Sequence, residues 1–276
     1  MAEPTEGEAE PGVDQSARNG GVNAAPPISV QLYTLREQVA VDFPAVLRRL
    51  GAKGYAGVEL AGFGALTPQQ LADTLARAGL AVSSAHVGYA RADEFATALA
   101  DHQVLGCDTA VIPALAAEGF ADLDAVRKSA ERINRLVDVA RAHGMTLGYH
   151  NHYWELTPMP DGRPALLHFF EHVAPEVVAE VDIYWAQVGG ADPAALVGAL
   201  GARAALLHVK DGPADAPPSP MVAVGDGAVD VPGVLAAAPE ARWHIVELDR
   251  CATDMFQAVE RSYDYLVGGG YSSGRV

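Results

Sequence analysis

From residue 28 onward, short apolar runs rich in Val, Ile and Ala alternate with Ala/Leu/Arg segments whose apolar positions recur at helical spacing. The strand-like runs are ISVQL (28–32), AGVEL (56–60), LAVSSAH (80–86), DTAVIP (108–113), MTLGYH (145–150), VVAEVD (177–182), AALLHVK (204–210) and WHIVEL (243–248). Helical periodicity follows each of them, over 43–53, 68–78, 94–105, 123–143, 164–172, 193–200, 231–237 and 253–267. Asp42, Thr67, Asp192 and Asp230 stand where helix N-caps are needed. Gly51, Gly54, Gly79, Gly106, Gly144 and Gly201 stand where helices should end. Eight strand–helix units within residues 27–276 match the roughly 250 residues of a closed (β/α)8 TIM barrel. An open doubly wound sheet is the competing architecture, but the first strand–helix turn has no GxGxxG.

Polar residues interrupt the apolar pattern at the C-terminal end of nearly every strand-like run: Gln31, Glu59, His86, His150 with Asn151 and His152, Asp182, His208 with Lys210, and Glu247 with Asp249. In a barrel these ends converge on one face whatever their separation in sequence. His150, Asp182, His208 and Glu247, on runs five to eight, offer two imidazoles and two carboxylates to one divalent cation. Any one of them alone reads more plainly as a capping or hydrogen-bonded group. Four on successive runs point to a metal, with Mn²⁺ the first choice and Co²⁺, Zn²⁺ or Mg²⁺ also compatible.

The first 26 residues break the pattern. They are acidic, Pro/Gly/Asn-rich and almost free of large apolar side chains, which predicts a disordered tail before a single catalytic domain at 27–276. No basic segment followed by an apolar one opens the chain, no run is long and apolar enough for a membrane, and only Cys107 and Cys251 are present. These features point to a cytoplasmic protein. A formal charge of −16 argues against nucleic acid, which needs a basic surface, and makes a small or neutral substrate easier to accept. A homo-oligomer is compatible with the sequence but not indicated by it.

The segments YHNHYWE, VDIYWAQVGGADP, LLHVKDG, VGDGAVD and IVELDRC, in order and spacing, resemble the sugar phosphate isomerase/epimerase family with the xylose isomerase-like TIM barrel. That resemblance implies a divalent ion held by a Glu after strand five, an Asp on strand six, a His on strand seven and a Glu on strand eight. Asp182, His208 and Glu247 match three of those positions. At the fourth this chain has His150, with His152 as the alternative ligand. Trp185 stands where many sugar epimerases carry a substrate-contacting His.

The resemblance implies proton abstraction next to a carbonyl through an enediolate, with the cation neutralising the developing oxyanion. His152 and Glu247 are the candidate bases, and Lys210 the candidate proton donor or oxygen ligand. Glu59 and His86 are placed to hold sugar hydroxyls, Glu155 to orient His152 or close the site, and Trp185 to wall it. Since His150 replaces a carboxylate that would face Glu247, a lyase or dehydratase acting on a keto-sugar, 3-keto-glycoside or inosose is the alternative to an isomerase/epimerase. The Pro/Gly-rich stretch 211–230 is too long for a tight turn and reads as a lid.

Overall fold

The computed structural model describes residues 24–88 and 92–275. The tail expectation falls mostly on residues outside that set. Eight parallel strands close in sequence order into a barrel: β1 (Ile28–Gln31), β2 (Gly57–Leu60), β3 (Ala81–His86), β4 (Thr109–Ile112), β5 (Thr146–His150), β6 (Val178–Asp182), β7 (Ala204–Val209) and β8 (Trp243–Val246). Pairing of Ile28 with His244 and of Val30 with Val246 seals it. Beyond the strands, Ser273 N and Oγ donate to the carbonyls of Pro26 and Ala25, tying the two ends of the described chain together.

Each strand is shorter than its apolar run by one or two residues, and at the C-terminal ends of β7 and β8 the trimmed residues include Lys210 and Glu247 of the site. The helices are α1 (Arg36–Lys53), α2 (Pro68–Ala78), α3 (Ala92–Gln103), α4 (Leu123–Ala142), α5 (Ala165–His172), α6 (Ile183–Val188), α7 (Pro193–Leu200), α8 (Val231–Ala237) and α9 (Met255–Gly268). Asp42 caps the Phe43 half of α1, where its own φ of −152° kinks the helix, and Ala45 N donates to its Oδ1 at 2.8 Å. Thr67, Asp192 and Asp230 cap α2, α7 and α8 with side-chain acceptors, as their positions predict.

Two local readings change. Gly51 lies inside α1, where a Cβ would stand 2.2 Å from Ala78 O, so it serves close packing against the end of α2; Gly54, left-handed at φ 110°, ends the helix. The short helix α6 was not anticipated. Asp182 creates it by accepting from Trp185 N at 2.8 Å, so one residue ends β6 and caps the next helix.

The apolar core divides in two. A large outer layer packs the strands against the helices, and a small plug of Val111, Leu206 and Ile245, with Trp243 against it, fills the barrel floor. Strand alternation then places His208 two residues beyond Leu206, and Glu247 two beyond Ile245, directly above that plug. Among the described residues no helix is long and apolar enough to cross a membrane.

Candidate metal and catalytic site

Above the plug the barrel interior is polar and almost wholly buried. Its deeper tier is built from Glu59, His86 and Glu180. Glu59 Oε2 accepts from Gln31 Nε2 at 2.6 Å and its Oε1 from Ser84 Oγ at 2.7 Å. Glu180 Oε2 lies 2.6 Å from His86 Nε2, 3.2 Å from His150 Nδ1 and 3.1 Å from His208 Nε2. The upper tier is Asp182, Lys210 and Glu247. Lys210 Nζ sits 2.8 Å from Asp182 Oδ2, 2.7 Å from Glu247 Oε2 and 2.8 Å from Asp249 Oδ2. His150 and His208 stand between the tiers, with His208 Nδ1 2.7 Å from Glu247 Oε2 and Nε2 2.6 Å from Glu59 Oε2.

Burial penalises every charge here, and what differs is the compensation. Burial and the neighbouring Glu180 carboxylate push Glu59 up to about 7. Glu180 and Glu247 are also fully buried, yet imidazolium neighbours in the first case, and Lys210 with His208 in the second, hold both well below the usual carboxylate range. Burial opposes the charge of His208, but Glu180, Glu59 and Glu247 raise it well above an ordinary imidazole. Lys210 likewise stays an ammonium through Asp182, Glu247 and Asp249. Burial moves Asp182 up to about 6, and burial with the His208 charge depresses His150.

An open cavity of ≈ 370 Å³ lies over this network, lined among others by Tyr33, His86, His150, His152, Glu247 and Asp249. His152 is neutral near neutral pH, because burial and then Lys210 lower it to about 4. Its ring stacks on Trp154 at 4.4 Å between centroids and faces Trp185 at 6.5 Å. Trp185 is 5% exposed and stands behind His152, over Lys210. Glu155, read from the sequence as orienting His152 or closing the site, is fully buried: its oxygens accept from Tyr149 Oη at 2.7 Å and His152 N at 3.0 Å. It reaches the cavity only through the loop it holds. Glu59 is equally buried beneath the cavity floor.

Two residues escaped the sequence reading. Glu180 had a legible signal: on a strand it must face the same way as Asp182, two residues on. Tyr33, half-exposed at the cavity mouth with the Arg36 guanidinium 4.3 Å from its ring centre, lies just past β1 where no polar motif drew attention. The expected lid is anchored. Asp211 accepts from the backbone N–H groups of Gly212, Gly225, Gly227 and Val229, and a Cβ on Gly227 would stand 2.1 Å from its Oδ1. The loop's Val224 N donates to Ser262 Oγ on α9.

The donor set fits a divalent ion. One ligand atom each from His150, Asp182, His208 and Glu247 falls within 4.8 Å of the others. Nitrogen and oxygen donors in that ratio suit Mn²⁺, Co²⁺ or Zn²⁺. Residues 54–250 match the family model of the xylose isomerase-like TIM barrel. The chain belongs to that family. A solved sugar phosphate isomerase/epimerase from Parabacteroides distasonis ATCC 8503 is 25% identical, covering 95% of this chain and 100% of that one, with a TM-score of 0.77. Two solved structures at 15% identity share the fold. The IOLI protein with a binding zinc atom has a TM-score of 0.71 over 90% of this chain and 100% of that one. The probable 3-DHS dehydratase AsbF of Bacillus anthracis has a TM-score of 0.70 over 87% and 98%. No curated protein matches the sequence.

Proposed function

We propose that this protein is a divalent-metal-dependent sugar isomerase or epimerase that abstracts a proton next to a carbonyl and passes through an enediolate. The observation that carries the reading is the convergence of His150, Asp182, His208 and Glu247 from four successive strands under an open cavity lined by a neutral imidazole. Similarity to the Parabacteroides sugar phosphate isomerase/epimerase supports it. Bound there, the ion supplies a Lewis acid for the substrate's carbonyl oxygen.

The protein groups then divide the remaining work. His152 lines the cavity with a buried, unpartnered Nδ1 and is uncharged, which makes it the better base. Glu247 is held by His208 and Lys210 and serves first as a ligand. Lys210 keeps its proton and offers positive charge to an oxyanion forming above Asp182 and Glu247. The stacked Trp154 fixes the His152 ring plane, and Glu155 holds the backbone N–H of the same residue.

A second reading, elimination on a keto-sugar, 3-keto-glycoside or inosose, draws on His150. An epimerase that works both faces of a carbon needs two bases. Here β5 ends in a buried imidazole held well below its ordinary value, so Glu247 has no carboxylate facing it from that strand. Incubation with simple ketoses and 3-keto-glycosides in D₂O separates the two. Deuterium at a carbon next to the carbonyl, with the rest of the molecule intact, supports isomerisation or epimerisation. Release of an aglycone or of water supports elimination, and neither event with any such substrate in the metal-loaded protein sinks both readings.

A further inference from the structure

Two groups of ligand atoms share His150 and His208. Asp182 and Glu247 complete one, His86 and Glu180 the other. Each shared ring turns a different nitrogen to each group. His150 has Nδ1 3.2 Å from Glu180 Oε2 and Nε2 3.9 Å from Asp182 Oδ2. His208 has Nδ1 2.7 Å from Glu247 Oε2, and Nε2 3.1 Å from Glu180 Oε2 and 2.6 Å from Glu59 Oε2. A neutral imidazole carries one N–H and one lone pair, so whichever group takes the N–H sends the lone pair to the other. The neutral rings of a loaded centre must therefore choose between two places for an ion.

The deeper group has the marks of an acceptor. A single carboxylate oxygen, Glu180 Oε2, stands within 3.2 Å of three imidazole nitrogens, and the 2.6 Å contact to His86 Nε2 is a hydrogen-bond distance. Glu180 and Glu59 are fully buried, and the deeper group reaches the cavity only through the imidazoles of His86 and His150. The upper group includes His150 and Glu247, which line the cavity. Catalytic metal sites keep such an open position.

We propose that Glu180 is the positioning residue of the metal centre: its carboxylate takes the Nδ1–H of His150 and shares with Glu59 the Nε2–H of His208, so that His150 Nε2 and His208 Nδ1 face a divalent ion held with Asp182 and Glu247. His86, bonded to the same oxygen, keeps the carboxylate in place. The inference rests on the metal-dependent reading above. It adds a residue that touches neither the ion nor substrate.

The test is binding of Zn²⁺ and Mn²⁺, measured by competition with a chelator, in the full chain and in its Glu180→Gln and Asp182→Asn variants. The neutral amide keeps the shape and removes the charge that orders the rings, and loss of such an outer partner weakens metal affinity roughly 10- to 100-fold. That weakening supports the assignment. If Glu180→Gln binds as tightly as the parent while Asp182→Asn does not, the assignment is overturned and the metal centre stands. If the parent binds neither ion, the metal centre itself falls. Ring-nitrogen NMR of the zinc-loaded parent needs no variant. Zinc on His150 Nε2 and His208 Nδ1 supports the proposal, whereas zinc on the opposite nitrogens places the ion in the deeper group and refutes it.

Discussion

Glu59 on β2 and Glu247 just past β8 are the same residue type, each almost wholly buried in the same barrel mouth and each in contact with His208. They behave oppositely. Glu59 is surrounded by Gln31, Ser84 and a share of His208, with the Glu180 carboxylate nearby, and burial carries it up to about 7. Glu247 has the Lys210 ammonium 2.7 Å away and stays a carboxylate. Burial alone therefore does not decide charge in this barrel. The β6–β8 side concentrates fixed cations and presents anionic ligands, while Gln31 of β1 and Ser84 of β3 supply neutral donors to Glu59 and build a floor with it.

The largest test of that contrast removes a ligand. Asp182→Asn keeps the cap on α6, since Asn caps as well as Asp, yet it deletes a charged donor. Divalent-ion affinity should fall by at least about 100-fold, more than the loss of an outer partner, and turnover with it. Unchanged metal content measured by elemental analysis would move the site elsewhere. His152→Gln should instead lower kcat by about 10²- to 10⁴-fold with the ion retained, as for loss of a general base. If the ion is lost as well, His152 is a ligand and His150 is not.

The closed barrel was legible because most helical segments between the apolar runs were opened by a cap or closed by a glycine, and because a ring of polar residues at strand ends has no other simple explanation. His150, Asp182, His208 and Glu247 meet as their strand positions imply. The depth of the site was not legible. The spacing of Glu180 from Asp182 marks it as inward-facing, but its role depends on barrel stagger, which sets three imidazoles from β3, β5 and β7 around one oxygen. The burial of Glu155 was hidden for a related reason: a carboxylate five residues beyond a strand end can turn inward, and here Tyr149 and His152 N draw it into the protein. The lid reading rested on loop length alone, and one acidic side chain, Asp211, satisfies four of that loop's N–H groups.

Lys210→Met attacks the cationic side directly. Asp182, Glu247 and Asp249 would lose their common ammonium, and breaking a buried ion pair by removing one partner costs about 3–5 kcal/mol. Urea denaturation of the metal-free variant should show that loss. The same change should tighten divalent-ion binding, because Asp182 and Glu247 would no longer be shared with Nζ. Weaker binding would mean that Lys210 supports the ion's geometry and does not compete with it.

Glu59→Gln tests the other side and should have the smallest effect, with the opposite sign. The folded state raises Glu59 from an ordinary 4.5 to about 7, so between those values it holds a proton that the unfolded chain releases. The stability this contributes is complete below about 4.5 and is lost as pH rises through about 7. A glutamine suffers no such loss. Its oxygen can still accept from Gln31 and His208, and its amide can donate to Ser84 Oγ, which accepts as readily as it donates. Metal-free Glu59→Gln should therefore gain on the parent as pH rises from 4.5 to 8, by on the order of 1–3 kcal/mol at the upper end. Thermal or urea unfolding at pH 5 and pH 8 measures the difference. A variant that loses ground with rising pH would show that Glu59 is a paired carboxylate like Glu247, and the two sides of the barrel would no longer differ in kind.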